Sequence, residues 1–231
     1  MTLGTINTIH PVLIWDDSEA TLVDAGYPGQ FEQMKQAVTA AGIPFDLIRR
    51  VIITHQDWDH ISTLPEILSA LGGQVDILAH VAEKPYIEGD LPYIKMNPER
   101  IVARIQALPE ELRSGAAAMF ANVPNVHITQ SLVDGEKLPF HGGIEVIHTP
   151  GHTPGHICLY LQSQRLLIAG DQLRVENELL VGPNEMHTLD MPTALKSIKK
   201  LIDYDIDNVI CYHGGWNGPG ASARIHELAN M

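Results

Sequence analysis

Two mixed β-sheets packed face to face with helices on the outside, a four-layer α+β sandwich, is the fold class this sequence predicts. Three observations lead there. Strand-like runs open in hairpin-like pairs and then alternate with helical patterns in each half of the chain. The length of 231 residues and a hydrophobic content of 45% allow a core of ordinary size. No Ser-, Pro- or charge-rich linker and no internal repeat divides the chain, so one domain over 1–231 is expected.

In order, apolar runs rich in β-branched residues place strands at Val12–Trp15, Ala20–Val23, 51–53 and 75–79. Helical spacing covers 30–41, stopped by Gly42, and 60–71, stopped by Gly72-Gly73. Further strands are expected at 126–128, Ile144–His148, Ile157–Leu161, 166–169 and 208–212, with helices over 192–202 and from about 221 onward. The region 83–122 fits the alternation least well. Its Tyr86, Pro92, Tyr93 and helix-like 98–113 suggest an insertion over one edge, of the kind that often lines a substrate pocket.

The net charge is −13, from 15 Lys and Arg against 28 Asp and Glu, and the pI is near 5.2. That balance argues against nucleic acid as a partner, because following phosphates requires clustered cations. No apolar stretch reaches the roughly 20 residues of a membrane span. The start Met1-Thr2-Leu3-Gly4 has neither a basic opening nor a signal-like core. A cytoplasmic protein that does not engage membranes is therefore expected. Cys158 and Cys211, the only cysteines, both lie in apolar strand-like runs and are expected as buried free thiols.

The chemistry concentrates where the strand at 51–53 runs through Thr54 into His55-Gln56-Asp57-Trp58-Asp59-His60. Alternation sends His55, Asp57 and Asp59 to one side, and His60 adjoins them as the helix begins. Imidazole and carboxylate are the ligands that Zn and the harder first-row ions accept. A polar, self-capping helix start is the competing explanation, since Asp commonly caps helices. Three later elements follow strand-like runs: His152 in Thr149-Pro150-Gly151-His152-Thr153-Pro154-Gly155-His156, Asp171 in Ala169-Gly170-Asp171, and His213 in Cys211-Tyr212-His213-Gly214-Gly215. The glycines beside them allow close backbone approach or positive φ.

With Asp24 in Val23-Asp24-Ala25-Gly26, these motifs run in the order found in the metallo-β-lactamase superfamily, which the chain resembles from Asp24 to His213. The resemblance implies that His55, Asp57 and His152 hold one divalent metal, that Asp59, His60 and His213 hold a second, and that Asp171 bridges them. It gives Asp24 a supporting role behind the ligands. His156 completes no ligand set and is read as a supporting residue too. The metal implied first is Zn, with Fe, Mn or Co as alternatives. The sequence departs from the family pattern at Asp57, where H-x-H-x-D-H has its second His. With two divalent ions and a bridging hydroxide the formal site charge becomes about 0, against about +1 with that His, which suggests a weaker Lewis acid and wider metal tolerance.

The implied reaction is hydrolysis of a small ester, lactone, thioester or related acyl substrate by a dinuclear-metal-activated hydroxide, with Asp59 and Asp171 as the catalytic carboxylates and Asp59 handling the proton. Candidate pocket residues are Trp58, Tyr86, Tyr93, His187 and Tyr212. β-Lactam or phosphodiester hydrolysis and iron-dependent redox chemistry are the alternatives. The acidic Asp57 resembles the flavodiiron branch, but no flavin module is expected within 231 residues. The resemblance also leaves room for a homodimer, since insertion loops in this superfamily often meet at dimer interfaces.

Overall fold

The computed structural model describes residues 8–95, 98–121 and 123–231; the start Met1-Thr2-Leu3-Gly4 and positions 96, 97 and 122 of the suggested insertion lie outside them. The chain runs β1 (Val12–Trp15), β2 (Ala20–Val23), α1 (Phe31–Ala40), β3 (Ile48–Ile53), α2 (Trp58–Ile61), α3 (Leu64–Ala70) and β4 (Asp76–His80). It continues through α4 (Lys84–Ile87), α5 (Pro98–Gln106), α6 (Glu110–Ala121), β5 (Gln130–Leu132), β6 (Lys137–Leu138), β7 (Ile144–His148), β8 (Ile157–Leu161) and β9 (Leu166–Ile168). The remainder is β10 (Arg174–Glu176), β11 (Leu179–Val181), α7 (Met191–Lys200), β12 (Asn208–Cys211), β13 (Gly215–Asn217) and α8 (Ala221–Ala229).

One large sheet has the order β1-β2-β3-β4-β5 and the other β13-β12-β9-β8-β7-β6, while β10 and β11 pair in a separate two-stranded sheet. The first is parallel except for the β1–β2 hairpin, and the second is antiparallel except where β9 meets β12. Both are therefore mixed. Three apolar clusters fix the layers. Val23, Ile52 and Leu78 from the first sheet meet Val146, Ile157, Leu159 and Ile168 from the second. Alternate residues of the same strands, Leu22, Val51, Ile53 and Ile77, face Met34 and Val38 of α1 and Leu64 and Ile67 of α3. Cys158, Tyr160, Val209 and Cys211 face Ile198 of α7 and Ile225 and Leu228 of α8. Strands covered on both faces read as continuous apolar runs, which is why the central strands stood out in the sequence. Each fully buried Ile or Leu contributes about 1.5–3 kcal/mol. Cys158 and Cys211 are free and buried, and burial pushes the Cys158 thiol up to about 12.

Three sequence expectations need correction. The single helix over 60–71 is two, α2 and α3. Ser62 and Thr63 turn their hydroxyls onto the carbonyls of Trp58 and Ala25, and Pro65, without an N–H, starts the second helix. The helix over 98–113 is likewise two, α5 and α6, parted at Leu108-Pro109, because the residue before proline avoids the helical region. The strand expected at 126–128 forms at Gln130–Leu132 instead. Val126 and Ile128 are buried, but their N–H groups go to the Ile87 carbonyl and the Glu88 carboxylate rather than to β4.

His80 closes β4 with its ring stacked on His148, centroids 4.0 Å apart and planes 11° apart. Burial, and then the neighbouring His148, pushes His80 down to about 4. The unfolded chain takes up this proton below about 6.5 and the folded chain only near 4, so the contribution is present above 6.5 and lost as the pH falls toward 4. With allowance for partial solvation it amounts to about 2 kcal/mol. His80→Asn, which keeps an acceptor for the Ala82 N–H, is expected to lose less stability than wild type between pH 7 and 4.5 in urea unfolding. Equal losses would refute the assignment.

Candidate metal centre

At the end of β3 the chain turns into α2 with Asp57 at the N-cap position, φ −63° and ψ 146°, and its carboxylate makes no capping bond. The capping explanation for this acidic run therefore fails at Asp57. Its Oδ2 instead lies 3.3 Å from His55 Nε2 and 3.0 Å from His152 Nε2. Asp171 Oδ2 lies 3.3 Å from His152 Nε2, which joins His55, Asp57, His152 and Asp171 into one group of ligand atoms. Asp59, His60 and His213 form a second, with Asp59 Oδ2 3.2 Å from His213 Nε2 and 3.8 Å from His60 Nε2. Asp171 abuts both groups, its Oδ1 3.4 Å from His60 Nε2 and its Oδ2 3.5 Å from His213 Nε2. The structure thus brings together all seven residues proposed as ligands from the sequence.

Behind them stands a shell of fixed contacts. Asp24, 1% exposed, accepts from the Thr54 N–H at 2.8 Å and from Thr54 Oγ1, and pairs with His60 Nδ1 at 2.9 Å. It does so from a left-handed backbone, φ 63°, a conformation Asp tolerates better than most residues. The Asp171 N–H donates to His156 Nε2 at 3.0 Å, and the other nitrogen of that ring lies 2.8 Å from Thr149 Oγ1, so His156 orients a carboxylate loop. Tyr212 covers the His60 ring at 3.8 Å between centroids and donates its hydroxyl to the Asp59 carbonyl. The loop carrying His152 is clamped by α7. Gly151, φ 128°, lies so close to Ala194 that a Cβ would overlap its backbone, and Ser197 Oγ donates to the Pro150 carbonyl. Gly214, φ 96°, is pressed against the Val175 carbonyl in the same way, next to His213.

The remaining candidates are spread more widely. Trp58 is half-buried and meets Tyr27 edge-on at 6.0 Å. Tyr86 is half-buried in α4, while the Tyr93 ring packs against the first core and its hydroxyl donates to the Pro124 carbonyl. His187 is exposed, its N–H donating to the Asn184 carbonyl. Sequence reasoning missed Glu83, Lys95, Thr54 and Tyr27. Fully buried Glu83 accepts from the Gln56 N–H at 2.8 Å and the Gly155 N–H at 2.6 Å, tying the two ligand loops together. Lys95 Nζ lies 2.5 Å from Asp57 Oδ2. Separations of 72 residues between Glu83 and Gly155, and of 38 between Lys95 and Asp57, leave no local signal to read.

Charge decides what this arrangement can hold. Burial would raise Asp57 and Asp171, yet both stay well below the usual carboxylate range, Asp57 because of His55 and Lys95 and Asp171 because of His60 and His152. Burial, followed by the His60 charge, pushes His55 down to about 4. Burial acts downward on His213 too, but its bonds to Asp171 and Asp59 bring it up to about 9. Three ionised carboxylates among imidazoles form a set that attracts cations. The fit to metal is tested by the buried atoms: His55 Nε2, His60 Nε2 and Asp171 Oδ1 make no well-formed hydrogen bond and face only other ligand atoms, at 3.3–3.4 Å. Buried polar atoms so poorly satisfied are costly, and three converging on one cluster are accounted for by cation coordination. The grouping of Asp16, Glu19 and His141 differs, because its atoms pair with one another, with Thr21 and with Arg50.

A sandwich of two mixed sheets carrying five such motifs on its strand ends defines a metallo-hydrolase type of protein, and comparison with known sequences agrees. The sequence profile of the metallo-beta-lactamase superfamily matches residues 5–213, and the chain belongs to that superfamily. It is similar to the probable metallo-hydrolase YflN of Bacillus subtilis, 31% identical over 90% of this chain and 81% of that one. It is also similar to the hydroxyacylglutathione hydrolase GloC of Haemophilus influenzae, 26% identical over 94% and 91%. Among solved structures, the metallo-beta-lactamase family protein TTHA1429 of Thermus thermophilus superposes with a TM-score of 0.70 at 23% identity, over 96% of this chain and 73% of that one. Members of the superfamily bind divalent metals, often two. Among the described residues no helix is long and apolar enough to cross a membrane.

Proposed function

We propose that this protein is a metal-dependent hydrolase of a small ester, lactone, thioester or related acyl substrate. The observation that carries the reading is Asp171, whose two carboxylate oxygens face His60 on one side and His152 on the other, the placement of a ligand shared by two cations. His55, Asp57 and His152 would hold one ion, Asp59, His60 and His213 the other. Two divalent ions so held would supply Lewis acidity and a hydroxide nucleophile near neutral pH. The chain's own residues do the rest. In this reading Asp59 would also take up a proton and return it to the leaving group. Beside it, the Tyr27 phenol is kept protonated by burial and then by the Asp59 charge, and can donate to a bound substrate. Trp58, edge-on to Tyr27, offers an apolar wall. A thioester has the added support of the likeness to a hydroxyacylglutathione hydrolase. The third carboxylate, Asp57, widens the acceptable metals from Zn toward Fe, Mn and Co.

The test is a panel of p-nitrophenyl esters, γ-lactones, acyl thioesters, β-lactams and bis-p-nitrophenyl phosphate, assayed before and after chelation. Turnover of an acyl substrate that stops with EDTA and returns with Zn, Mn or Co is expected. Turnover indifferent to chelation, or confined to the phosphodiester, would overturn the reading.

A further inference from the structure

Lys95 stands out because its ammonium sits inside a ligand set. Nζ lies 2.5 Å from Asp57 Oδ2 and 2.8 Å from His152 Nε2, with the side chain only 20% exposed. Asp57 Oδ2 and His152 Nε2 are themselves 3.0 Å apart, and His55 Nε2 is 3.3 Å from the same Oδ2. The lone pairs that would hold the first metal thus converge on a cation the chain already owns. To accept from Lys95 at Nε2, His152 must carry its proton on Nδ1, which faces Thr188 Oγ1 at 3.4 Å. That is also the tautomer needed to bind metal through Nε2. The second set, Asp59, His60 and His213, pairs with Asp24, Asp171 and one another, and no Lys or Arg nitrogen contacts it among the described residues.

We infer that Lys95 is a resident cation of the first ligand set, which a metal must displace before it can occupy the position formed by His55, Asp57 and His152. The inference rests on the proposed metal-dependent function. It also gives the acidic residue at 57 a partner: one negative charge is gained relative to a His at that position, and one positive charge is supplied 38 residues further along the chain. A charge-assisted hydrogen bond to Asp57 and a second bond to His152 must both be broken before those atoms are free for metal.

The experiment is a titration of the full-length apo-protein with Zn²⁺ against a chromophoric chelator, comparing wild type with Lys95→Met, which keeps chain length and removes the charge. In Lys95→Met one of the two binding steps is expected to tighten by about ten- to a hundredfold, the equivalent of one charged hydrogen bond no longer displaced, while the other is unchanged. A second readout needs no variant: acetylation of Lys95, followed by mass spectrometry, should rise when wild type is saturated with Zn²⁺. Both steps unchanged in Lys95→Met, or Lys95 acetylation unaltered by zinc, would each overturn the inference while leaving the metal reading intact. Failure of wild type to bind zinc at all would overturn both.

Discussion

Asp171→Ala is expected to lower turnover of the acyl substrate by at least about a thousandfold, equivalent to about 4 kcal/mol of transition-state stabilisation. Asp171 is the residue that abuts both groups of ligand atoms. Without it His60, His152 and His213 each lose a carboxylate partner lying 3.3–3.5 Å away. What remains is two incomplete sets, His55–Asp57–His152 and Asp59–His60–His213, with no ligand in common. The bound metal per chain should fall together with the rate, while the fold persists, because Asp171 lies at the sheet end rather than in any of the three apolar clusters. Initial rates, metal content and thermal unfolding on the same preparation separate these effects. A rate within tenfold of wild type would sink the two-metal reading.

Asp24→Ala should produce the largest loss of stability. The carboxylate is buried, holds the Thr54 N–H and hydroxyl, and faces His60 Nδ1. Removing one partner of a buried pair costs about 3–5 kcal/mol. Alanine in the left-handed backbone at φ 63° adds about 1 kcal/mol. At about 2–4 °C per kcal/mol for a chain of this size, the Tm of chelated protein should fall by about 8–24 °C. Asp24→Asn, which tolerates that backbone and keeps an acceptor for Thr54, should lose markedly less. A shift below about 3 °C in the Ala variant would show that Asp24 is not the strut its contacts describe. Chelated protein is the right sample, since bound metal would otherwise stabilise by mass action and blur the comparison.

The central strands were legible because burial on both faces leaves an unbroken apolar run, and β1, β2, β7 and β8 have the limits expected for them. Helix breaks were less legible. Pro65 and Pro109 are visible in the sequence, but whether a proline starts a helix or interrupts one depends on where neighbouring carbonyls find partners. Ser62 and Thr63 show this, with Thr63 bound to a carbonyl 38 residues away. The strand misplaced at 126–128 went wrong for the same reason. Its apolar residues are indeed core, yet their backbone bonds belong to α4 and the loop after it, which no periodicity encodes.

For the site, the sequence by itself determined the residue types, their order, and the departure at Asp57, because ligand chemistry resides in side chains and the run from His55 to His60 is local. Tertiary structure alone decided how they group. Asp57 meets His152 across 95 residues, Glu83 ties Gln56 to Gly155, and Lys95 returns 38 residues to neutralise the acidic ligand. Such contacts are fixed by the pairing of strand ends across two sheets, and the free energy that selects them comes from the three apolar cores rather than from the polar residues themselves. A lone Lys or Glu in a loop therefore carries no mark of its role until the sheets have closed.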